Sequence, residues 1–379
     1  LSEEKKRSGR MRRQKTSDEL RLFNPGRILM PVLLGTLIVG YVMRREFIKQ
    51  GQTPLEVLAA MNWHGGTFLW LGLAVLMLGL REFGYIWQLR SLTDGNLRWR
   101  HSLQVVLLWD FFAAVSPSMV GGAAVALFML SKEGLSLGRS TAIVFTTVFL
   151  DQVFYISIPF LVSLIIPQKD IFAPLEWIPS DLLGDSVLAL FWSAWGSMAA
   201  YVVLLVGALF VAPTWVNWWL TRLFTLPFTH RWRARGLHMA NELLIASKDL
   251  RGRSTRWWLK VWAATSLAWI GRYLVLNCVL AAFTETPYGF FDQALIAGRQ
   301  AVLWIIMVVS PTPGSAGLAE LGFSWLFRDL VPAGAALSLA IVWRTIAYYP
   351  YLIIGVPVMT HWIKRVFGSD LRVRSADGT

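Results

Sequence analysis

Long apolar runs, broken by short charged ones, set the pattern of this chain. "FWSAWGSMAAYVVLLVGALFVA" carries no charge at all. A bilayer core takes about 20 such residues in a helix. Similar runs are "RILMPVLLGTLIVGYVM", "TFLWLGLAVLMLGL", "STAIVFTTVFLDQVFYISIPFLVSLII", "VWAATSLAWIGRYLVLNCVLAAF" and "AGAALSLAIVWRTIAYYPYLIIGVPVM". They predict six transmembrane helices, near 28–43, 67–89, 141–166, 186–212, 261–283 and 333–359. Two further runs are broken. In "SLQVVLLWDFFAAVSPSMVGGAAVALFMLSKEGLSLGR", Ser116-Pro117 and Gly121-Gly122 split the run. Each half is about 14 residues, or about 21 Å as helix, short of a core about 30 Å thick. "SPTPGSAG" divides "ALIAGRQAVLWIIMVVS" from "SAGLAELGFSWLF" in the same way. Both read as re-entrant hairpins.

The order span, broken hairpin, span occurs twice. Repeat one covers about 67–166 and repeat two about 257–360, with a connector at about 213–256 between them. One unit starts outside and the other inside. The expected fold is an all-α polytopic membrane protein, with about six transmembrane helices plus two re-entrant hairpins in inverted-topology repeats. Transporters built on that plan hold their sites near the midplane, at the repeat interface.

Composition agrees: 55% of residues are hydrophobic and 16% charged, and mean hydropathy is +0.50. Many of the twenty tryptophans end the apolar runs, at the depth where indole favours the headgroups. The lone Cys278 excludes an intrachain disulfide, and five scattered histidines give no metal-ligand spacing. No metal or cofactor is expected.

Charge fixes orientation. The net charge is +13, concentrated in the leader at 1–27, the connector and the tail at 361–379. The loops "PQKDIFAPLEWIPSDLLGD" and "TETPYGFFDQ" are acidic. Lys/Arg-rich loops stay cytoplasmic, so both termini are expected inside a bacterial cytoplasmic membrane. Arg44, Arg45 and Lys49 fit poorly, falling outside after the first helix. No recognition fold accompanies the basic stretches, so nucleic acid is excluded as a partner. The connector alternates apolar and basic positions at helical spacing, which suits an anionic lipid surface or a docked protein partner.

A break in a lipid-embedded helix exposes backbone groups, so it is tolerated where it lines a cavity. Thr312 is placed to cap the following helix, with Pro313 at its first position. Ser310, Pro311, Gly314 and Gly317 complete that break; Ser116, Pro117, Gly121 and Gly122 form the other. Free N–H groups at such helix ends suit a phosphate or carboxylate. Arg272, Arg299, Arg344, Asp110, Asp151 and Glu320 lie at hydrophobic depth, where charges pair or mark a pathway. Arg272, Arg299, Arg344 and Glu320 are expected to converge on a polar cavity beside 311–314. If Glu320 and Arg344 serve transport, Glu320→Gln and Arg344→Lys should fold normally yet fail to move lipid. The alternatives are tight turns between short spans, and structural ion pairs, Asp151 with Arg344 foremost.

The stretches "SPSMVGGAAVALFMLSKEGLSLGRSTAIVFTTVFLD" and "SPTPGSAGLAE", with the Arg344 helix after them, resemble the lysylphosphatidylglycerol synthase transmembrane-region family. The resemblance covers about 67–359. The family usually shows Gly-Gly where this chain has Gly314-Ser315. It implies a lipid flippase or lipid-handling membrane domain; the soluble aminoacyltransferase domain of bifunctional members is not expected in the short tail. The expected function is moving a lipid with an anionic or zwitterionic headgroup between leaflets, with phosphate-bearing lipids as partners. The competing readings are a non-catalytic membrane subunit of a lipid- or glycan-synthesis complex, and a membrane-embedded transferase or hydrolase using Glu320 or Asp151.

Overall fold

The structure, a computed structural model, describes residues 63–116, 120–172, 184–225, 250–284, 288–308, 310–332 and 334–376 in unbroken stretches, with isolated positions between 33 and 61 and between 233 and 248. The described residues form helices and turns, without strands. Five helices are long and apolar enough to cross a membrane. The chain is an all-α polytopic membrane protein.

The first long helix is α1 (Gly65–Leu92). A hairpin follows, α2 (Trp99–Val115) and α3 (Val120–Lys132). Next come α4 (Leu137–Ser163), the short α5 (Gln168–Phe172) and α6 (Gly184–Val206). A π turn, Gly207–Val211, leads to α7 (Pro213–Phe224). The second half holds α8 (Thr255–Ala281) and α9 (Phe290–Val308). After a 3-10 turn at Pro313–Ser315 come α10 (Leu318–Phe327), α11 (Ala336–Ala347) and α12 (Tyr349–Ala376).

Lipid offers no hydrophobic drive between helices, so close packing through small residues takes over. At the α1–α8 crossing, a Cβ on Gly84 would sit 2.6 Å from the Ala268 nitrogen. One on Gly271 would sit 2.8 Å from the backbone of Met77 and Arg81. The two glycines interlock reciprocally, carrying Arg81 and Arg272 to the centre of the bundle. Gly122 lets α3 lie on Ala113 and Trp109 of α2, and Gly322 lets α10 lie on Leu303 of α9.

The two hairpins open at opposite ends of the bundle. His101 near the start of α2 meets Glu133 just past α3, at 3.1 Å. Glu133 also accepts from Trp362, at 2.9 Å, and from Arg365. At the same end Asp94, after α1, bonds Arg139 of α4 and Arg253 before α8. The second hairpin opens where α4 finishes: Tyr288, before α9, donates to Leu330 O beyond α10 at 2.7 Å. Arg299 there donates to Asp170 O at 3.0 Å.

Several expectations need correction. The helix expected at 333–359 is broken at Tyr348 (φ −132°, ψ −55°), and its second part runs on to Ala376. Pro350 is the cause, since its ring cannot accommodate the carbonyl four residues back and it donates no bond. The first arm of the second hairpin, α9, has 19 residues and is long enough to cross a membrane; only α10, with 10 residues, is short. The helix expected at 28–43 lies outside the described residues except at isolated positions, each helical. Most of the connector beyond α7 lies outside them too, although Ser247 and Leu250 are buried.

Asp94 ties three segments through two guanidiniums. Burial alone would raise its carboxyl, but the hydrogen bonds and charge of Arg253, with the charge of Arg139, outweigh it and hold it below the usual range. A depressed carboxyl stabilises the fold above its unfolded value, about 3.9, and the benefit is lost as pH falls through the folded value. Because Asp94 is exposed, the effect is screened, about 1 kcal/mol or less. Thermal unfolding should therefore show the Asp94→Asn deficit at pH 7 and low salt, and the deficit should shrink as pH falls below the usual carboxylate range through the lowered folded value.

Candidate functional site

Where the two hairpins approach, a cavity of about 280 Å³ opens between α1, α2, α4, α8, α9 and α11. The apolar core divides around it. One cluster centres on Trp269, Phe323 and Trp343, the other on Phe111, Met129 and Trp362. Charged side chains from both halves of the chain stand on its walls.

The second break is held from within. Gly314 (φ +56°), Ser315 (φ +57°) and Gly317 (φ +87°) are left-handed, a region glycine enters freely and serine rarely. Ser315 is anchored there by its hydroxyl, which donates to Met307 O at 2.8 Å. Thr312 bonds Ser310 Oγ and donates to Ala316 O. It therefore closes the loop and does not cap α10 with its side chain, contrary to expectation; Pro313 begins a 3-10 turn. Pro311 is exposed. The N-terminus of α10 is already occupied: Glu320, 1% exposed, accepts from Gly317 N at 2.7 Å. The same carboxylate accepts from Arg344 Nε at 2.9 Å. A third residue into a helix is where a carboxylate can fold back to the cap, and Glu320 takes the place expected for an outside anion.

Arg344 completes the lock. Its guanidinium donates to Gly314 O at 2.8 Å and lies 3.7 Å from the centre of the Tyr348 ring. Tyr348 rests on Gly314 and donates to Ala114 O at 3.0 Å. Ala114 lies two residues before Ser116, which ends α2 in extended backbone. One tyrosine, placed by the Pro350 kink, thus joins the two breaks. Pro117 lies outside the described residues, as does the side-chain environment of Gly121; Gly122 is buried in the hairpin.

The other charges differ in how fully they are matched. Arg81 donates to Glu82 and Tyr351, and to Asp110 at 2.7 Å. Asp151 accepts from Trp269 Nε1 at 2.8 Å and from Tyr85 at 3.4 Å, through the same oxygen. Its other oxygen takes no hydrogen bond from the described residues, yet is not sealed off. Arg272 has no carboxylate at ion-pair distance among the described residues. It sits between the rings of Trp269 and Trp304, at 4.9 and 4.8 Å, touching Tyr85 Oη at 3.5 Å. Its Nε is buried without an acceptor. Asp151 and Arg344 line one cavity but form no pair with each other.

Arg299 stands apart from the cavity. It is bound by Asp329 at 2.6 and 2.9 Å, Leu326 O and Asp170 O. Its role is to fasten the open end of the second hairpin, because Asp329 falls just past α10 and reaches back. The residues missing from the sequence reading are Tyr85, Tyr351 and Trp304, all on the cavity. The consecutive Arg81-Glu82 in mid-span was the available signal. Three guanidiniums (Arg81, Arg272, Arg344) face four carboxyls (Glu82, Asp110, Asp151, Glu320), so the site is close to charge balance and not a simple anion trap.

Three comparisons place these observations. Residues 21–355 match the family model for the lysylphosphatidylglycerol synthase TM region. A UPF0104 membrane protein of Archaeoglobus fulgidus is 25% identical over 295 residues, 76% of this chain and 85% of that protein. No solved structure matches. The chain belongs to the lysylphosphatidylglycerol synthase transmembrane-region family.

Proposed function

We propose that the cavity receives the headgroup of a membrane lipid and passes it between leaflets, and that the headgroup carries both a phosphate and a positive group. One observation carries this reading: Arg272 is a guanidinium without a carboxylate among the described residues, and across Tyr85 stands Asp151 with an oxygen no described residue uses. A buried arginine is normally paired, so an unmatched one at a cavity wall invites a ligand. A phosphate at Arg272 gains its fork of donors. A cationic group on the same headgroup would find its counter-charge at Asp151, as the phosphate does at Arg272.

The hairpins entering from opposite ends and the reciprocal Gly84–Gly271 crossing support an inverted repeat, with the site at its midplane. The Lys/Arg-rich end, with Asp94, Arg139 and Arg253, is the cytoplasmic end in this reading. Tyr348, bridging the two breaks, is the gate between the leaflets.

Fluorescent-lipid translocation in proteoliposomes tests the assignment. Arg272→Gln and Asp151→Asn remove no ion pair, so both proteins should unfold near the wild-type temperature. Each should lose at least tenfold in translocation rate. Wild-type rates in both would remove the site.

A further inference from the structure

A second hollow lies at the Lys/Arg-rich end, on the face of α1 turned away from the cavity. It measures about 570 Å³ and shares no lining residue with the first. Phe83 and Trp99 stack almost parallel, with centroids 6.0 Å apart, and Trp87 stands beside Phe83. Trp257 forms the floor; its N–H donates to Ser91 O at 3.2 Å and Arg253 lies over its ring. Arg90 covers Trp99 at 4.6 Å and donates to Leu97 O. Lys260 is exposed, and no carboxylate pairs with it among the described residues. The indole N–H groups of Trp87 and Trp99 find no acceptor there either. The one carboxylate on the wall, Asp94, is already matched by Arg139 and Arg253. Below the hollow, Phe83 and Leu76 are exposed seven residues apart on α1, an apolar strip running into the bilayer.

We infer that this hollow binds the headgroup phosphate of an anionic phospholipid, independently of the translocation cavity. Lys260 and Arg90 supply charge, the Trp87 and Trp99 indoles supply donors at headgroup level, and the Phe83–Leu76 strip takes an acyl chain. Basic pockets between helix ends on the cytoplasmic side suit such headgroups. The apolar strip favours a lipid over free phosphate.

Native mass spectrometry of the full chain, titrated with phosphatidylglycerol, reads the site. Lys260→Gln should weaken one binding event about fivefold, the equivalent of about 1 kcal/mol for one lysine at a membrane surface. Lys260 is exposed, so the fold should be untouched. Trp87→Phe, which keeps a ring but loses the N–H, should weaken the same event. Both variants should still translocate lipid, whereas Arg272→Gln should keep this binding event. Equal binding by wild type and both variants overturns the inference. So does loss of the event in Arg272→Gln, equal retention of phosphatidylcholine, or displacement of the lipid by millimolar inorganic phosphate.

Discussion

Glu320→Ala destabilises the protein by about 3–5 kcal/mol, the usual result of removing one partner from a buried ion pair. Arg344 is 4% exposed and Glu320 1%, so both charges are shielded from bulk water. The substitution strands the guanidinium and also leaves Gly317 N–H without its acceptor. Glu320→Gln keeps an oxygen for Gly317 but no charge for Arg344, and should cost less. The double variant Glu320→Ala, Arg344→Met should recover part of the loss, because two apolar groups leave no unmatched charge. Thermal unfolding in detergent checks all three. Sequence alone predicts that Glu320→Gln and Arg344→Lys spare the fold; the buried pair seen here argues that they cost stability, and leaves Arg272 as the better probe of the proposed transport.

Gly314→Ala carries the second large effect. Its Cβ would lie 2.3 Å from Tyr348 Oη, at a φ of +56°. The left-handed backbone alone costs about 1–2 kcal/mol, and overpacking adds about 1–3 kcal/mol. Tyr348 cannot yield cheaply, since its hydroxyl holds Ala114 O and its ring holds Arg344. Combining Gly314→Ala with Tyr348→Ala should cost less than the sum of the two single changes, because the clash disappears with the ring. Strict additivity of the unfolding temperatures would show that the two residues do not meet.

The spans were legible because bilayer thickness demands an uninterrupted apolar length, and α1, α4 and α8 meet that demand in plain sight. The breaks were legible because proline and glycine interrupt such runs. The kink at Tyr348 was signalled by Pro350 but masked by the apolar residues on both sides of it. The site was less legible. Glu320 folds onto Gly317, whose φ is +87°, and its cation comes from 24 residues away. Arg299 looks like Arg272 in sequence. Asp329 separates them in space by claiming one, while no carboxylate among the described residues claims the other. Charge at hydrophobic depth identifies residues that matter, but tertiary pairing decides which are locks and which are left for a ligand.

The most direct measurement asks whether headgroups pass through the cavity between the hairpins. Ala113 lines it from α2. A protein with Cys278→Ala and Ala113→Cys has one thiol, placed on that wall. Modification with a bulky methanethiosulfonate reagent in proteoliposomes should stop translocation of a fluorescent phospholipid, and a reductant should restore it. Undiminished translocation by the fully modified protein would place the lipid path elsewhere.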